Sequence, residues 1–566
     1  MQNQSAIQFY TIMKLKIVRL FVIILTFTAS IPSYSQKMNK SAGRITASEM
    51  ESYVSFLASP LLKGRMNGEE GLEIAGQFIA TQAKLLGLKP ANKNSFFQPY
   101  SVNRKTMDPD KTRFEIITAV KDTLLLKDQI YQLVPVGPTD FVLEGEVVFA
   151  GYGIKSEKYK YNDFDSLNTE GKILLIMGRA PMTEDGKKSR FEEPEWNSEM
   201  SFQLKLMALM ALKPKAVLIV PDPKSGFQSL GESSPGLAGY LNSKTSLKGG
   251  KEQNTNPFMG MLPKVIFINR SVAEALLKGT GHDLEELQKS IDETLKPHSF
   301  SFGDKKVKIT EVSITEEKSL SNVAAYVEGS DPELKNEVVV YSGHYDHIGG
   351  SGTKINRGAD DDASGCAALL AMAGAFQDQK KKPLRSILFL WVSGEEIGLF
   401  GSQSYVNNPL FPIEKTVADL NMDMIGRDKE PADSTSETPM TGPNSVFVIT
   451  DSQSRELRKI ADDVAGKSKL NLDYSLSGRD HPLQLFARSD HYNFVKKDIP
   501  VLFFSTGIHS DYHTPGDIVE KIDFRKMELI TKTMYMIGLT IANRKTRIIV
   551  DNPFSTWTNN TINQDQ

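Results

Sequence analysis

A chain of 566 residues exceeds one ordinary core, and 40% hydrophobic, 24% charged and 9% aromatic residues make a globular composition, so two or three domains are expected. Its 67 basic against 69 acidic residues give a net charge of -2, which excludes a global field for nucleic acid or an anionic membrane. The single cysteine, Cys366, excludes an intramolecular disulfide, so an exported chain of this size would rest on packing and bound metal.

At the amino end Lys14, Lys16 and Arg19 precede an apolar run over 20–29, and Ser33-Tyr34-Ser35 supplies a small-x-small cleavage site. Residues 1–35 therefore read as a secretory signal, with Met13 an alternative start, and the mature chain as secreted or periplasmic. The apolar run has about half of the roughly 20 residues that a bilayer span needs, so no integral span is expected after cleavage. No cysteine follows the signal to carry a lipid anchor.

Thr46-Ala47-Ser48-Glu49 is a capping box that predicts a helix through Leu57. Ile74, Phe78, Ile79, Leu85 and Leu86 give an apolar helical face over about 70–86, with Gly87 as the stop. These helices open a segment, 36–139, expected to join the later α/β domain. Short β runs then recur between Gly and Pro at 147–153 and 171–176, followed by a helix over 202–212 and strands at 216–220 and 264–268. The Gly/Ser/Lys/Asn-rich stretch 222–257 reads as an exposed loop, and 140–300 as a smaller, β-rich α+β inserted domain. From Val307 apolar β runs at 337–341, 386–392, 417–420, 446–450 and 501–504 alternate with helical segments. That alternation predicts an α/β fold over 301–550, a doubly wound and mainly parallel sheet, with a polar tail over 551–566.

In such a sheet ligands sit beyond the carboxyl ends of the strands, and the suspicious residues all follow a β run. His344 stands in Gly343-His344-Tyr345-Asp346-His347, and Asp361 in Gly358-Ala359-Asp360-Asp361-Asp362-Ala363-Ser364-Gly365. Glu395 and Glu396 follow Ser393-Gly394, Asp423 follows Asn421-Met422, and His513 stands in Tyr512-His513-Thr514-Pro515. Consecutive carboxylates in a partly buried place demand a compensating cation. Imidazole and carboxylate donors without thiolate suit zinc, manganese or cobalt. With Asp361 shared between two ions, His344 and Asp423 complete one position, and Glu396 and His513 the other. The three carboxylates and one hydroxide then balance two divalent charges. Glu395 is placed as a general base, Asp346 as the group orienting the second ring nitrogen of His344, and Tyr512 as a donor to a developing oxyanion.

Together these five motifs, in this order, resemble the co-catalytic zinc aminopeptidase family of clan MH, over about 307–545 and with residues 46–90 similar to the family's N-terminal part. The resemblance implies a zinc-exopeptidase fold and two Zn2+ ions, with Mn2+ or Co2+ as alternatives. It implies His344, Asp361, Glu396, Asp423 and His513 as ligands, with Asp361 bridging, Glu395 as the base, Tyr512 at the oxyanion, and a strained or cis peptide between Asp361 and Asp362. Gly151-Tyr152-Gly153-Ile154 and Gly171-Lys172-Ile173 make the 140–300 segment similar to a protease-associated domain. The expected function is a secreted metallo-exopeptidase acting on peptides, an aminopeptidase first. A glutaminyl cyclase or glutamate-type carboxypeptidase on the same scaffold is the alternative, and a catalytically silent binding protein comes behind both. His347, His491 and His509 read as structural or close to substrate, because five carriers already fill both positions. Asp490 reads as a pocket support, Arg427 as the partner of a neighbouring acid and Cys366 as a small core residue.

Overall fold

The computed structural model describes residues 40–556 apart from 119–122, 127–129, 135–136, 166, 198–199, 250–262, 353, 430–438 and 451–452. The expected signal over 1–35 and most of the polar tail lie outside the described residues. The chain forms two compact units: one is residues 1–101 with 319–566, the other Val102–Lys318. The second unit is wider than the 140–300 expected for it, since the strands Arg113–Ile117 and Ser299–Glu311, which flank that range, pair with each other.

The first unit contains the helices α1 (Ala47–Leu57) and α2 (Glu70–Leu85). Thr46 caps α1, its side chain accepting from the amide of Glu49, as the capping box predicts. Its sheet includes β1 (Ser313–Val327, which belongs to this unit from Ser319 on), β2 (Val338–His344), β3 (Ser386–Val392), β4 (Thr416–Met422), β5 (Ser445–Ile449), β6 (Asn471–Asp473) and β7 (Val501–Ser505), which pair in the order β1-β3-β2-β4-β7-β5-β6. The neighbours β3, β2, β4 and β7 run parallel, whereas β1 and β5 pair antiparallel with β3 and β7. Every residue of β2, β3, β4 and β7 is buried, as expected of parallel strands covered on both faces.

Three helices matter for the site: α3 (Ala363–Gln377), α4 (Phe400–Asn407) and α5 (Phe524–Ala542). The α3 sequence is almost wholly small or apolar, and it is buried from Ala363 to Phe376. Gly365 explains how close it lies: a Cβ there would sit 2.3 Å from the Met422 carbonyl oxygen. Because β2 lies between β3 and β4, the connection from β2 leaves toward one neighbour and the next returns to the other side. That reversal opens the crevice at the carboxyl ends of the strands.

The second unit has its own sheet, in which Phe141–Ala150, Ile173–Met177, Ala216–Val220 and Lys264–Ile268 run parallel. Antiparallel strands flank them, and a separate core includes Phe149, Leu175, Leu218 and Ile266. The stretch expected as a loop over 222–257 instead contains, among its described residues, helices Leu230–Ser233 and Pro235–Asn242 and the strand Ser243–Leu247. Leu230, Ala238 and Leu241 are buried together there, so a few spaced apolar residues outweigh the polar composition. Among the described residues no helix is long and apolar enough to cross a membrane.

Candidate metal centre

His344 is the last residue of β2, and Asp423 immediately follows β4. Glu395 and Glu396 lie in the turn between β3 and α4, and His513 in the loop after β7. The Asp361–Asp362 peptide bond is cis. His344, Asp361 and Asp423 form one group of facing donors, and Asp361, Glu396, His513 and His347 a second. Asp361 belongs to both, so the structure brings the five expected carriers together and adds His347.

The distances fit a small divalent ion. His344 Nε2 is 3.3 Å from Asp361 Oδ1 and 3.5 Å from Asp423 Oδ1. His513 Nε2 is 3.2 Å from Asp361 Oδ2 and 3.1 Å from Glu396 Oε2. Donors at about 2.0–2.1 Å from a tetrahedral zinc stand about 3.3 Å apart. Asp361 Oδ2, Asp423 Oδ1 and His513 Nε2 are also buried without a hydrogen-bond partner among the described residues, a costly state that a cation relieves. The donor set fits zinc.

The electrostatics tell the same story. Burial lowers His513, but pairing with Asp361 and Glu396 outweighs it and pushes the imidazole up to about 10. Burial and the charge of Asp361 raise Glu396, yet His347 and His513 outweigh both and hold it at about 2. The carboxylates draw positive charge onto the rings, a demand that cations would meet. Glu395 is held well above the usual carboxylate range, first by burial and then by Glu396, Asp423 and Asp490, with His344 opposing. Burial, then the charges of Asp361, Glu396 and Glu395, raise the Tyr512 phenol, so it stays a donor at neutral pH. Its ring stacks on His513 with centroids 3.8 Å apart.

Asp346 corrects one expectation. His344 Nδ1 faces the backbone carbonyl of Asp346 at 3.2 Å, while the nearer carboxylate oxygen is 3.8 Å away. The carboxylate instead accepts from the amides of Glu395 and Glu396, each at 3.2 Å, and from Asn67 Nδ2 at 2.6 Å. Asp346 thus fixes the turn that carries both glutamates. The two carboxylates flanking Asp361 also face backbone. Asp362 accepts from the amides of His344 at 3.1 Å and Gly365 at 2.9 Å, and Asp360 from that of Gly426 at 2.6 Å. Of the acidic triplet only Asp361 supplies the facing donors.

The remaining candidates fall into place around this centre. Arg427 pairs with Asp511 at 3.0 Å, and His509 Nε2 lies 3.5 Å from Asp360. Asp490 accepts from Ser402 Oγ at 2.5 Å, and His491 packs on Phe503. Cys366 is buried in α3, its Sγ 3.0 Å from the His344 carbonyl. Sequence reasoning missed Arg65, Asn67 and Asp517. Asp517 accepts from the amides of Asp360 and Asp361 at 3.0 and 3.1 Å. Arg65 donates to the carbonyls of Tyr345, Leu57, Arg357, Gly358 and Asp361. The signal for the first two was the polar run Lys63-Gly64-Arg65-Met66-Asn67-Gly68 between two apolar helices.

Two overlapping imidazole–carboxylate donor groups that could hold metal thus stand at the carboxyl ends of parallel strands, on an α/β exopeptidase fold. The aminopeptidase from Aneurinibacillus sp. strain AM-1 shares this fold with a TM-score of 0.51 at 16% identity, over 91% of this chain and 98% of its own. Residues 322–537 match the model of peptidase family M28, so the co-catalytic zinc aminopeptidase resemblance of the motifs holds over the region that carries the site. A probable leucine aminopeptidase of Arthroderma otae is 29% identical over 206 residues, 35% of this chain and 52% of that protein. Leucine aminopeptidase 1 of the same organism is 40% identical over 101 residues, 17% of this chain and 27% of that protein. The chain thus spans about half the length of the first of these relatives.

Proposed function

We propose that this protein is a dinuclear zinc aminopeptidase that hydrolyses N-terminal residues from peptides. The observation that carries this reading is the sharing of Asp361 by two donor cages with Glu395 beside them. His344, Asp361 and Asp423 would hold one ion, and Asp361, Glu396 and His513 the other; manganese or cobalt suits the same donors. Two such ions supply Lewis acidity and a nucleophilic water at neutral pH. Glu395, its affinity for a proton already raised, takes the proton of the attacking water and returns it to the leaving amine. The Tyr512 phenol donates to the oxyanion as it forms. Asp346 keeps Glu395 and Glu396 in register through their amides.

A cavity lined by Asp423 and Tyr512 has mainly apolar walls, Met424, Phe447, Ile449, Leu485, Phe503 and Ile508, with Arg488, Ser505 and Gly507 completing the lining. This supports an apolar side chain on the residue that is removed. The leucine aminopeptidase names of the relatives agree with that preference. The basic and apolar segment over 1–35 supports secretion, and the Gly-Tyr-Gly and Gly-Lys-Ile motifs support a protease-associated role for the second unit.

The test is metal analysis beside a peptidase assay on leucyl peptides, with both ends of the substrate followed. Glu395→Gln should retain two ions and lose about 10²- to 10⁴-fold in kcat, whereas His513→Ala should lose metal. A fully active Glu395→Gln protein, or trimming from the carboxyl end, refutes the proposal.

A further inference from the structure

His347 is the residue near the site without an assigned task. Its ring is buried, with Nδ1 2.7 Å from Glu396 Oε1 and 3.6 Å from Asp361 Oδ2. The place is built for it. The His347 amide donates to the Arg65 carbonyl at 3.1 Å, and a Cβ on Gly358 would lie 2.8 Å from the ring carbon Cδ2. The rings of His347 and His513 meet edge to face, their centroids 5.7 Å apart.

Two uses of Nδ1 compete, as a further donor to a cation or as a hydrogen-bond donor to Glu396. The other nitrogen decides between them. Nε2 is buried and has no hydrogen-bond partner among the described residues. An imidazole that binds metal through one nitrogen carries its proton on the other, and that N–H almost always finds an acceptor. Here it would be a buried orphan donor, at a cost of about 1–3 kcal/mol. With the proton on Nδ1, the short contact to Glu396 becomes a charge-assisted hydrogen bond and Nε2 keeps only a lone pair.

We propose that His347 is a positioning residue that engages Glu396 Oε1 and leaves Oε2 alone to face the cation beside His513. Glu396 Oε2 is the oxygen that faces His513, 3.1 Å from its Nε2. Holding the other oxygen prevents Glu396 from chelating with both and keeps a coordination position free for water or substrate. This inference rests on the dinuclear reading above.

The test titrates the full chain, stripped of metal, with zinc and with cobalt in competition with a chelator. It compares wild type, His347→Ala and His347→Gln, with thermal melting as a check on folding. Wild type should bind two ions. His347→Ala should lose about 10- to 100-fold in affinity at one position only and show a changed cobalt absorption spectrum. His347→Gln, which can still donate to Oε1, should recover most of both. X-ray absorption of the two-zinc wild type should count two imidazoles for two zincs.

Unchanged affinity and spectrum in folded His347→Ala overturn the inference, as do three imidazoles for two zincs, which would make His347 a ligand. Either result leaves the dinuclear reading standing. Wild type that binds fewer than two ions overturns that reading and this inference with it.

Discussion

Arg65 offers the sharpest test of how the site is held. It is fully buried, and its guanidinium has five N–H groups. They meet five carbonyls: Tyr345 at 2.8 Å, Leu57 at 2.6 Å, Arg357 at 2.8 Å, Gly358 at 3.1 Å and Asp361 at 3.2 Å. Tyr345 lies between His344 and Asp346, and Asp361 is the shared carboxylate, so one side chain ties both loops to the end of α1. Hydrogen bonds to a charged group are worth about 1.5–3 kcal/mol each. Their full sum would rival the stability of a whole domain, but burying the cation offsets much of it. Removing one partner from a buried charged network costs about 3–5 kcal/mol, and that is the loss expected for Arg65→Met. Arg65→Lys should recover only part, because an ammonium has three donors and no planar fork.

The assay is urea unfolding with Trp196 and Trp557 replaced by Phe, so that Trp391, buried in β3, reports on the first unit alone. The same variant should bind zinc more weakly, since its Asp361 loop has lost an anchor. Arg65→Met within about 1 kcal/mol of wild type, an ordinary loss for a substitution, would refute the idea that this hub fixes the ligand loops.

Tyr512→Phe keeps the stack on His513 but removes the phenol, so kcat should fall by about 10²- to 10³-fold with KM little changed, as read from steady-state kinetics on a leucyl peptide. Gly401→Ala would put a Cβ 2.1 Å from the Ser393 carbonyl oxygen and 2.5 Å from Asn322 Oδ1. That forces α4 off the turn carrying Glu395 and Glu396, and a melt should show a loss of about 1–3 kcal/mol together with reduced kcat. In the second unit, burial pushes the Glu311 carboxyl up to about 7, against an opposing hydrogen bond from the Thr139 amide. Its folded value lies above its ordinary one near 4.5, so the stability it contributes is fully present below that pH and is lost as pH rises through about 7. Glu311→Gln should flatten the pH dependence of that unit's unfolding between those limits, and an unchanged slope would show that Glu311 does not titrate there.

Elements with a strong local signal were legible. The capping box at Thr46 and the apolar runs that became β2, β3, β4 and β7 follow from backbone sterics and burial, which act within a few residues. The helices inside 222–257 were not legible, because Leu230, Ala238 and Leu241 bury against one another only after the chain has folded. The site divides the same way. His344, Asp361, Glu396, Asp423 and His513 announce themselves as donor types placed after strands, whereas Arg65, Asn67 and Asp517 act on loops far away in sequence, and no spacing reveals that.

What the sequence determined by itself is the chemistry on offer: imidazoles and carboxylates without thiolate, carried after apolar β runs, near electrical neutrality and with one cysteine. Side-chain type and local periodicity suffice for that, since neither depends on the path of the distant chain. The tertiary structure alone decided the division of labour among like groups. It turned Asp361 toward two cages and Asp360 and Asp362 toward backbone amides, took the carboxylate of Asp346 from His344 to the glutamate turn, and brought His347 against Glu396. Which neighbour a buried polar atom meets depends on contacts between residues tens to hundreds of positions apart, and those exist only in the folded chain.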